Sequence, residues 1–516
     1  MQNYLKNPNL IALLIALLTT AFLRLQLFPG LPGSDGGFYT FTCQWMFNAV
    51  TQDIVIKDST LLLYPFITSW VYALDVNQYL QLRLIDGAVA VAVSVVFFKV
   101  ILKESGSNLF TIIFMVPMLI IMNDVQYIGF GFRNSIWAAY LPLFTALLVW
   151  QNSTKDDKYS FYLIGGLVSL GVLLREPFLP FSVLAGIAIY IGFSSHALFK
   201  YIIGAAVLGF SVLIFMLMFR GWDLQNLINS YTSHLLVYPD FGAAAISQRL
   251  MSGIFLFVQK SWFICVLALF SITYLIQLHF FNKKSVGINR SYFWILVVLI
   301  PIIRPILEIS YEYHYALCLP GLAGLSAMGW KYLSLHQSKQ TKKLSILFIG
   351  MMGLLVIVPI VNSTIIKSKQ IYLPSDVMKW TNNPNAFRGS NTIERNQYSK
   401  MAATIYEYSK EDSTLAVSGM MQVLYPLTEL LPPTFEFSNL RILHLKNNED
   451  DERLIKIIMK YRPTLIVTTG WTPGERVISE VIDKIDIYEE VGNIPLNPNI
   501  NYGWKSGIIY RLKDFN

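Results

Sequence analysis

Apolar runs of about 15–22 residues, broken by short polar patches, fill the first 364 positions of the chain. A helix needs about 20 apolar residues to cross the hydrocarbon core of a bilayer. On that measure the pattern predicts about eleven membrane helices. They fall near residues 9–27, 83–102, 108–123, 135–151, 160–175, 177–195, 201–219, 262–281, 291–307, 312–330 and 344–364. The first run is followed by further spans and by no small-residue cleavage site, so it reads as an uncleaved anchor.

The lysines between the runs are not evenly shared. Lys6, Lys99 and Lys103, Lys155 and Lys158, Lys200, Lys283 and Lys284, and Lys331 to Lys343 fall on alternate connections. Positive connections stay in the cytoplasm. The N-terminus is therefore expected inside. Residues 28–82, 124–134, 175–177, 220–261 and 308–311 are expected outside, and an odd number of spans leaves residues 365–516 outside as well. In a bacterium that side is the periplasm, and the membrane is the inner one.

After residue 364 the pattern changes. Helical periodicity at Tyr398–Ser409, Asp450–Tyr461 and Val477–Ile485 alternates with β-prone runs at Thr414–Ser418, Pro463–Thr469 and Trp504–Leu512. Such alternation predicts a small α/β domain. The expected fold is thus a polytopic α-helical membrane module, 1–364, followed by a periplasmic α/β domain, 365–516. Within the first external loop, 28–82, two aromatic stretches, 39–50 and 61–74, read as helices lying in the membrane interface.

Composition sharpens this picture. The chain is 54% hydrophobic and only 14% charged, against about 25% charged in an ordinary soluble protein. A net charge of +8 comes largely from the short lysine-bearing loops. No basic patch with interleaved aromatics accompanies it, so nucleic acid is not an expected partner. Cys43, Cys265 and Cys318 are isolated and form neither a zinc spacing nor a disulfide framework. No metal or other cofactor is expected. The cytoplasmic loops are too short for a nucleotide-binding domain and contain no phosphate-binding GxxxxGK[ST], which excludes an ATP-driven pump.

Any chemistry is therefore expected on the external face. There Pro29-Gly30-Leu31-Pro32-Gly33-Ser34-Asp35-Gly36-Gly37 holds one carboxylate on a tightly turned path at the membrane exit. Asp35 is either a turn aspartate or a base. Asp124 and Glu176 are further external acids. Arg133, Arg175 and Arg304 each stand at an external membrane boundary, with His314 close after the last. Interfacial anchoring would account for such arginines. A phosphate pocket would as well, since the planar guanidinium binds phosphate oxygens in pairs.

These features together resemble the GT-C glycosyltransferases, which use a sugar carried on a polyprenyl phosphate. Ser34-Asp35-Gly36-Gly37-Phe38-Tyr39 stands where that family has its acidic motif, with Gly36 in place of a second acid. Leu82-Arg83-Leu84-Ile85-Asp86-Gly87 resembles the start of its second helix, and Leu173-Leu174-Arg175-Glu176-Pro177 its leucine–basic–proline corner. Tyr313-His314-Tyr315 through Pro320 resembles the aromatic entry to its penultimate helix. The His-Pro-Pro motif of some members is absent, Leu63-Tyr64-Pro65-Phe66 being the nearest match. In size and layout the chain is most similar to the O-antigen-modifying, serotype-converting glucosyltransferases of bacteria. The resemblance implies transfer of glucose from undecaprenyl phosphate to a surface glycan. It implies Asp35 as base and Arg133, Arg175, Arg304 and His314 as phosphate contacts, with Asp124 or Glu176 as a second acid.

Two other functions fit a polytopic chain. A polysaccharide polymerase or ligase would carry large loops between its later spans rather than a terminal α/β domain. A flippase or secondary transporter would place charges near mid-span and often show related halves. Here the charges gather at external ends, and no repeat is visible.

Overall fold

The computed structural model describes residues 7–21, 23–24, 41–45, 63–74, 78–124, 134–154, 157–175, 178–220, 225, 243–282, 293–295, 297–299, 315–371, 393–418, 421–422, 424–434, 437, 451–469, 473–495 and 506–513.

Helix α1 (Pro8–Ala16) starts at Asn7, whose side chain accepts from the Asn9 N–H, and continues into a π turn, Leu17–Ala21. Then come α2 (Leu63–Ser69), α3 (Gln78–Ser105), α4 (Asn108–Met122), α5 (Asn134–Asn152), α6 (Ser160–Leu174) and α7 (Leu179–Gly192). Helices α8 (Ser195–Arg220), α9 (Ala243–Asn282), α10 (Leu319–His336) and α11 (Lys339–Ile371) complete the bundle. Among the described residues, four helices are long and apolar enough to cross a membrane: Leu84–Ser105, Ser195–Met218, Phe257–Gln277 and Lys339–Asn362. Shorter apolar helices occupy Pro8–Ala21, Asn108–Met122, Ser160–Leu174 and Leu179–Gly192. Large side chains such as Phe199, Val207, Phe210 and Met218 on α8, and Leu347 and Leu355 on α11, face outward. So much contiguous apolar surface is unfavourable in water and suits lipid.

Among the described helices, three depart most from where hydropathy puts them. Helix α9 has 40 residues, about 60 Å at 1.5 Å per residue. Its first part, from Ala243, occupies sequence assigned above to an external loop. Helix α11 runs on to Ile371, past the apolar run that ends near 364. Helix α10 starts at Leu319 after a 3₁₀ turn, Ala316–Cys318, and reaches His336, where hydropathy places it at 312–330. Hydropathy marks where a helix meets lipid. Backbone hydrogen bonding, which sets the helix ends, carries on into polar residues.

Helices α6 and α8 approach closely through two glycines. A Cβ at Gly165 would collide with the Tyr201 carbonyl oxygen, and one at Gly204 with that of Tyr162. Without side chains the backbones meet directly, a common device where lipid removes the hydrophobic drive between helices. Gly204→Val is expected to separate this pair and to destabilise the protein by about 1–3 kcal/mol or more. Thermal unfolding in detergent measures it, and an unchanged midpoint would contradict the contact.

One end of the bundle is lysine-rich. Lys103 pairs with Asn152, and Gln151 donates to Glu104 at 2.7 Å. Asp157 caps α6 by accepting from the Ser160 N–H at 3.1 Å and its hydroxyl at 2.5 Å. Those bonds hold its carboxyl below the usual range. Lys200 donates to the Asp157 carbonyl at 3.3 Å.

The remaining residues build a sheet of order β1-β2-β4-β3, formed by Leu415–Val417, Leu465–Thr469, Ser506–Leu512 and Tyr488–Pro495 respectively. β1 and β2 are parallel, while β2–β4 and β4–β3 are antiparallel, with a register shift between Glu490 and Gly492. Strand β2 is apolar throughout its centre because both faces are covered. Leu465, Val467 and Ile509 pack under α12 (Ile393–Glu407) and α13 (Leu424–Thr428). Ile466 and Tyr510 pack under α14 (Asp451–Tyr461) and α15 (Pro473–Lys484). The three predicted strands and three predicted helices of this part are present, and α13 and β3 are additions.

The aromatic stretch at 39–50 is not interfacial over its described part. Residues 41–45 are helical, and Phe41, Thr42, Cys43 and Gln44 are all buried. An interfacial helix keeps a polar face in water. This one lies within protein, and Phe41 belongs to the apolar core beneath β1 and β2. The second stretch, 63–74, also has its apolar side chains Leu63, Tyr64 and Phe66 buried, while Trp70 is half exposed.

Candidate active site

The end opposite the lysines gathers the last turn of α1, the first turns of α3 and α5, and the last turns of α4 and α6. This follows from helices that alternate in direction. Gln151 near the end of α5 meets Val100 and Glu104 near the end of α3, so those two run parallel. Asn123, just after α4, meets residues near the start of α3 through Arg24, so α4 runs against them.

Arg24 is the centre of this end and is only 6% exposed. Its Nη1 donates to Asp86 Oδ2 at 2.6 Å, and its Nε donates to Asn123 Oδ1 at 2.9 Å. Its guanidinium lies 4.8 Å from the centre of the Trp137 ring. Asn123 Nδ2 donates to the Leu119 carbonyl at 2.7 Å and reaches Thr20 Oγ1 at 3.4 Å. Thr20 in turn bonds Ser94 at 2.9 Å. A charge so deeply buried persists only when paired and hydrogen-bonded. The network joins four elements: α1, α3, the end of α4 and the start of α5.

Beside it, Lys260 Nζ of α9 lies 3.9 Å from Asp124 Oδ1. Their side chains retain 25% and 11% exposure, against 5% and 3% for Arg24 and Asp86. Arg175 caps α6 in extended backbone, with φ −155° and ψ 112°. Its carbonyl accepts from the Phe178 N–H at 3.1 Å, turning the chain into α7. The Arg175 side chain is buried. Phe178 sets its ring edge-on to Tyr140 at 5.3 Å, and Tyr140 lies one turn along α5 from Trp137. Arg175 and the Arg24 network therefore occupy the same end of the bundle.

Of the residues singled out in the sequence, Asp124 and Arg175 are placed at this end. Asp35, Arg133, Glu176, Arg304 and His314 lie outside the described residues. Sequence reasoning passed over Arg24 and Lys260, and noted Asp86 only within a longer motif. A signal for the first pair was present. Arg24 and Asp86 each fall inside a predicted span, and opposite charges inside spans are expected to find one another.

Comparison with known protein families finds no match, and no characterised protein matches the sequence. Among solved structures, ArnT from Cupriavidus metallidurans bound to undecaprenyl phosphate is similar at 11% identity and a TM-score of 0.48, over 97% of this chain and 98% of that one. At that level neither fold nor residue roles transfer. The reading of the site rests on the chain itself.

Proposed function

We propose that the protein is an inverting membrane glycosyltransferase of the GT-C type. It moves a sugar, glucose by the resemblance, from undecaprenyl phosphate to a periplasmic surface glycan such as O-antigen. The observation that carries this reading is the collection of charged side chains at the end of the bundle opposite the lysines. Arg24, Asp86, Asp124, Lys260 and Arg175 all stand there. Arg24 itself stands eleven residues before Asp35 in the sequence.

In this reaction an acceptor hydroxyl oxygen attacks the anomeric carbon as its proton passes to the Asp35 carboxylate. The bond from that carbon to the phosphate oxygen breaks, and the electron pair leaves with the lipid phosphate. Charge rises on that phosphate as the bond breaks, and cations placed beforehand stabilise it. Arg175, Arg133, Arg304 and His314 are assigned to this role. Arg24 is already engaged by Asp86 and Asn123, which suits it to hold the helices rather than the phosphate. Asp124 has Lys260 beside it, 3.9 Å away.

The test is direct. Purified protein in detergent, given undecaprenyl-phosphate glucose and O-antigen, should release undecaprenyl phosphate and lengthen the glycan by one sugar. No release with any polyprenyl-phosphate sugar, from a monodisperse preparation, would refute the reading. Orientation has its own check. A reporter fused after Lys343 should register as cytoplasmic and one fused after Asn516 as periplasmic; the same side for both would overturn the arrangement.

A further inference from the structure

The five described residues 41–45 touch two parts of the molecule at once. On one side Phe41, fully buried, packs against Tyr425 of α13 with ring centres 4.4 Å apart. Its neighbours in that core include Met401 and Ile405 of α12 and Leu415 and Val417 of β1. Tyr425 is fixed from behind, its hydroxyl donating to the Phe437 carbonyl at 3.2 Å. On the other side Cys43 lies 3.0 Å from Thr68 Oγ1 and packs with Val71 and with Leu82 of α3. Leu82 and Asp86 are four residues apart on α3 and so share one helix face. Asp86 is the partner of Arg24.

We propose that residues 41–45 are a clasp through which the C-terminal sheet layer holds the charged end of the membrane helices in alignment, with Phe41 and Tyr425 as positioning residues. The sheet layer is then a support for the site and not a separately moving module. Arg24 is held in the buried ion pair and Phe41 in the sheet layer's core. The functional half of this proposal rests on the transferase reading; the clasp itself does not.

Cys43 supplies a readout independent of activity. Burial pushes its thiol up to about 12, and the thiolate is the reactive form. It should therefore react slowly while the clasp is shut. Full-length protein in detergent is treated with N-ethylmaleimide and modification is read peptide by peptide. Tyr425→Ala and Phe41→Ala are each expected to speed modification of Cys43 at least about tenfold. Cys318, buried in the bundle, should stay protected and so reports that the helices remain folded. Phe41→Leu, which keeps apolar bulk, should stay near wild type. In the transfer assay Tyr425→Ala should lower kcat about tenfold with the donor KM within about twofold, because alignment is lost and not lipid binding. If Tyr425→Ala exposes Cys318 too, Tyr425→Leu is read in its place. Cys43 protected in both alanine variants would overturn the clasp. Cys43 released with kcat unchanged would overturn its positioning role. A wild type inactive in transfer would refute the transferase reading and with it the positioning role, while the Cys43 comparison would still decide the clasp.

Discussion

Replacing Asp35 by Asn is expected to lower sugar transfer by about 10²- to 10⁴-fold, the usual worth of general-base assistance, while the protein still inserts and folds. The substitution keeps the size of the side chain and removes its basicity. Pro29, Gly30, Pro32 and Gly33, residue types that favour turns, precede this carboxylate in the sequence. A base there could meet a sugar whose phosphate lies at headgroup depth, and an acceptor could approach from the aqueous side. Asp53, Asp58 and Asp75 belong to the same loop and serve as internal controls, their Asn variants retaining most activity. Because the loss arises in the chemical step, it should appear in kcat and kcat/KM together. Near-normal transfer by Asp35→Asn at normal expression would remove the assignment and turn attention to Asp124 or Glu176.

Breaking the Arg24–Asp86 pair should have the largest effect on stability. Arg24 and Asp86 side chains are 5% and 3% exposed, at a separation of 2.6 Å. Removing one partner strands a buried charge, at a cost of about 3–5 kcal/mol. Asp86→Ala and Arg24→Ala should each lower the thermal midpoint in detergent strongly and reduce yield in the membrane. The double substitution Arg24→Met with Asp86→Leu removes both charges at similar volume. It should recover most of the loss, since apolar replacements of buried pairs are often neutral or better. Asn123 keeps its bonds to Leu119 and Thr20 in that variant, which limits the repacking required. Additive losses in the double variant would show that the two charges do not act as a pair.

What the sequence by itself determined here is what depends on local composition and period. The positions of α3 to α8 follow from hydropathy, because an uninterrupted apolar run in lipid has few alternatives to a helix. The strands Leu415–Val417, Leu465–Thr469 and Ser506–Leu512 follow from β-prone runs ended by turn residues. Strand β3 was not legible. Tyr488-Glu489-Glu490-Val491-Gly492-Asn493-Ile494-Pro495 mixes charge, glycine and proline, and becomes a strand by pairing with β4 around a register shift. Tertiary context also decided the helical residues 41–45. Aromatics beside a membrane fit an interfacial helix equally well, and only the apolar pocket formed by Met401, Leu424 and Tyr425 gives Phe41 another destination. At the candidate site, the sequence marked Asp124 and Arg175 by their charge at span ends. It did not mark the Arg24–Asp86–Asn123 network, whose members lie 62 and 99 positions from Arg24. Local pattern reports what a residue is and which face of its helix it occupies. Which distant partner neutralises a buried charge is fixed only when the helices pack, because the cost of leaving it unpaired is met by a contact between elements and not within one.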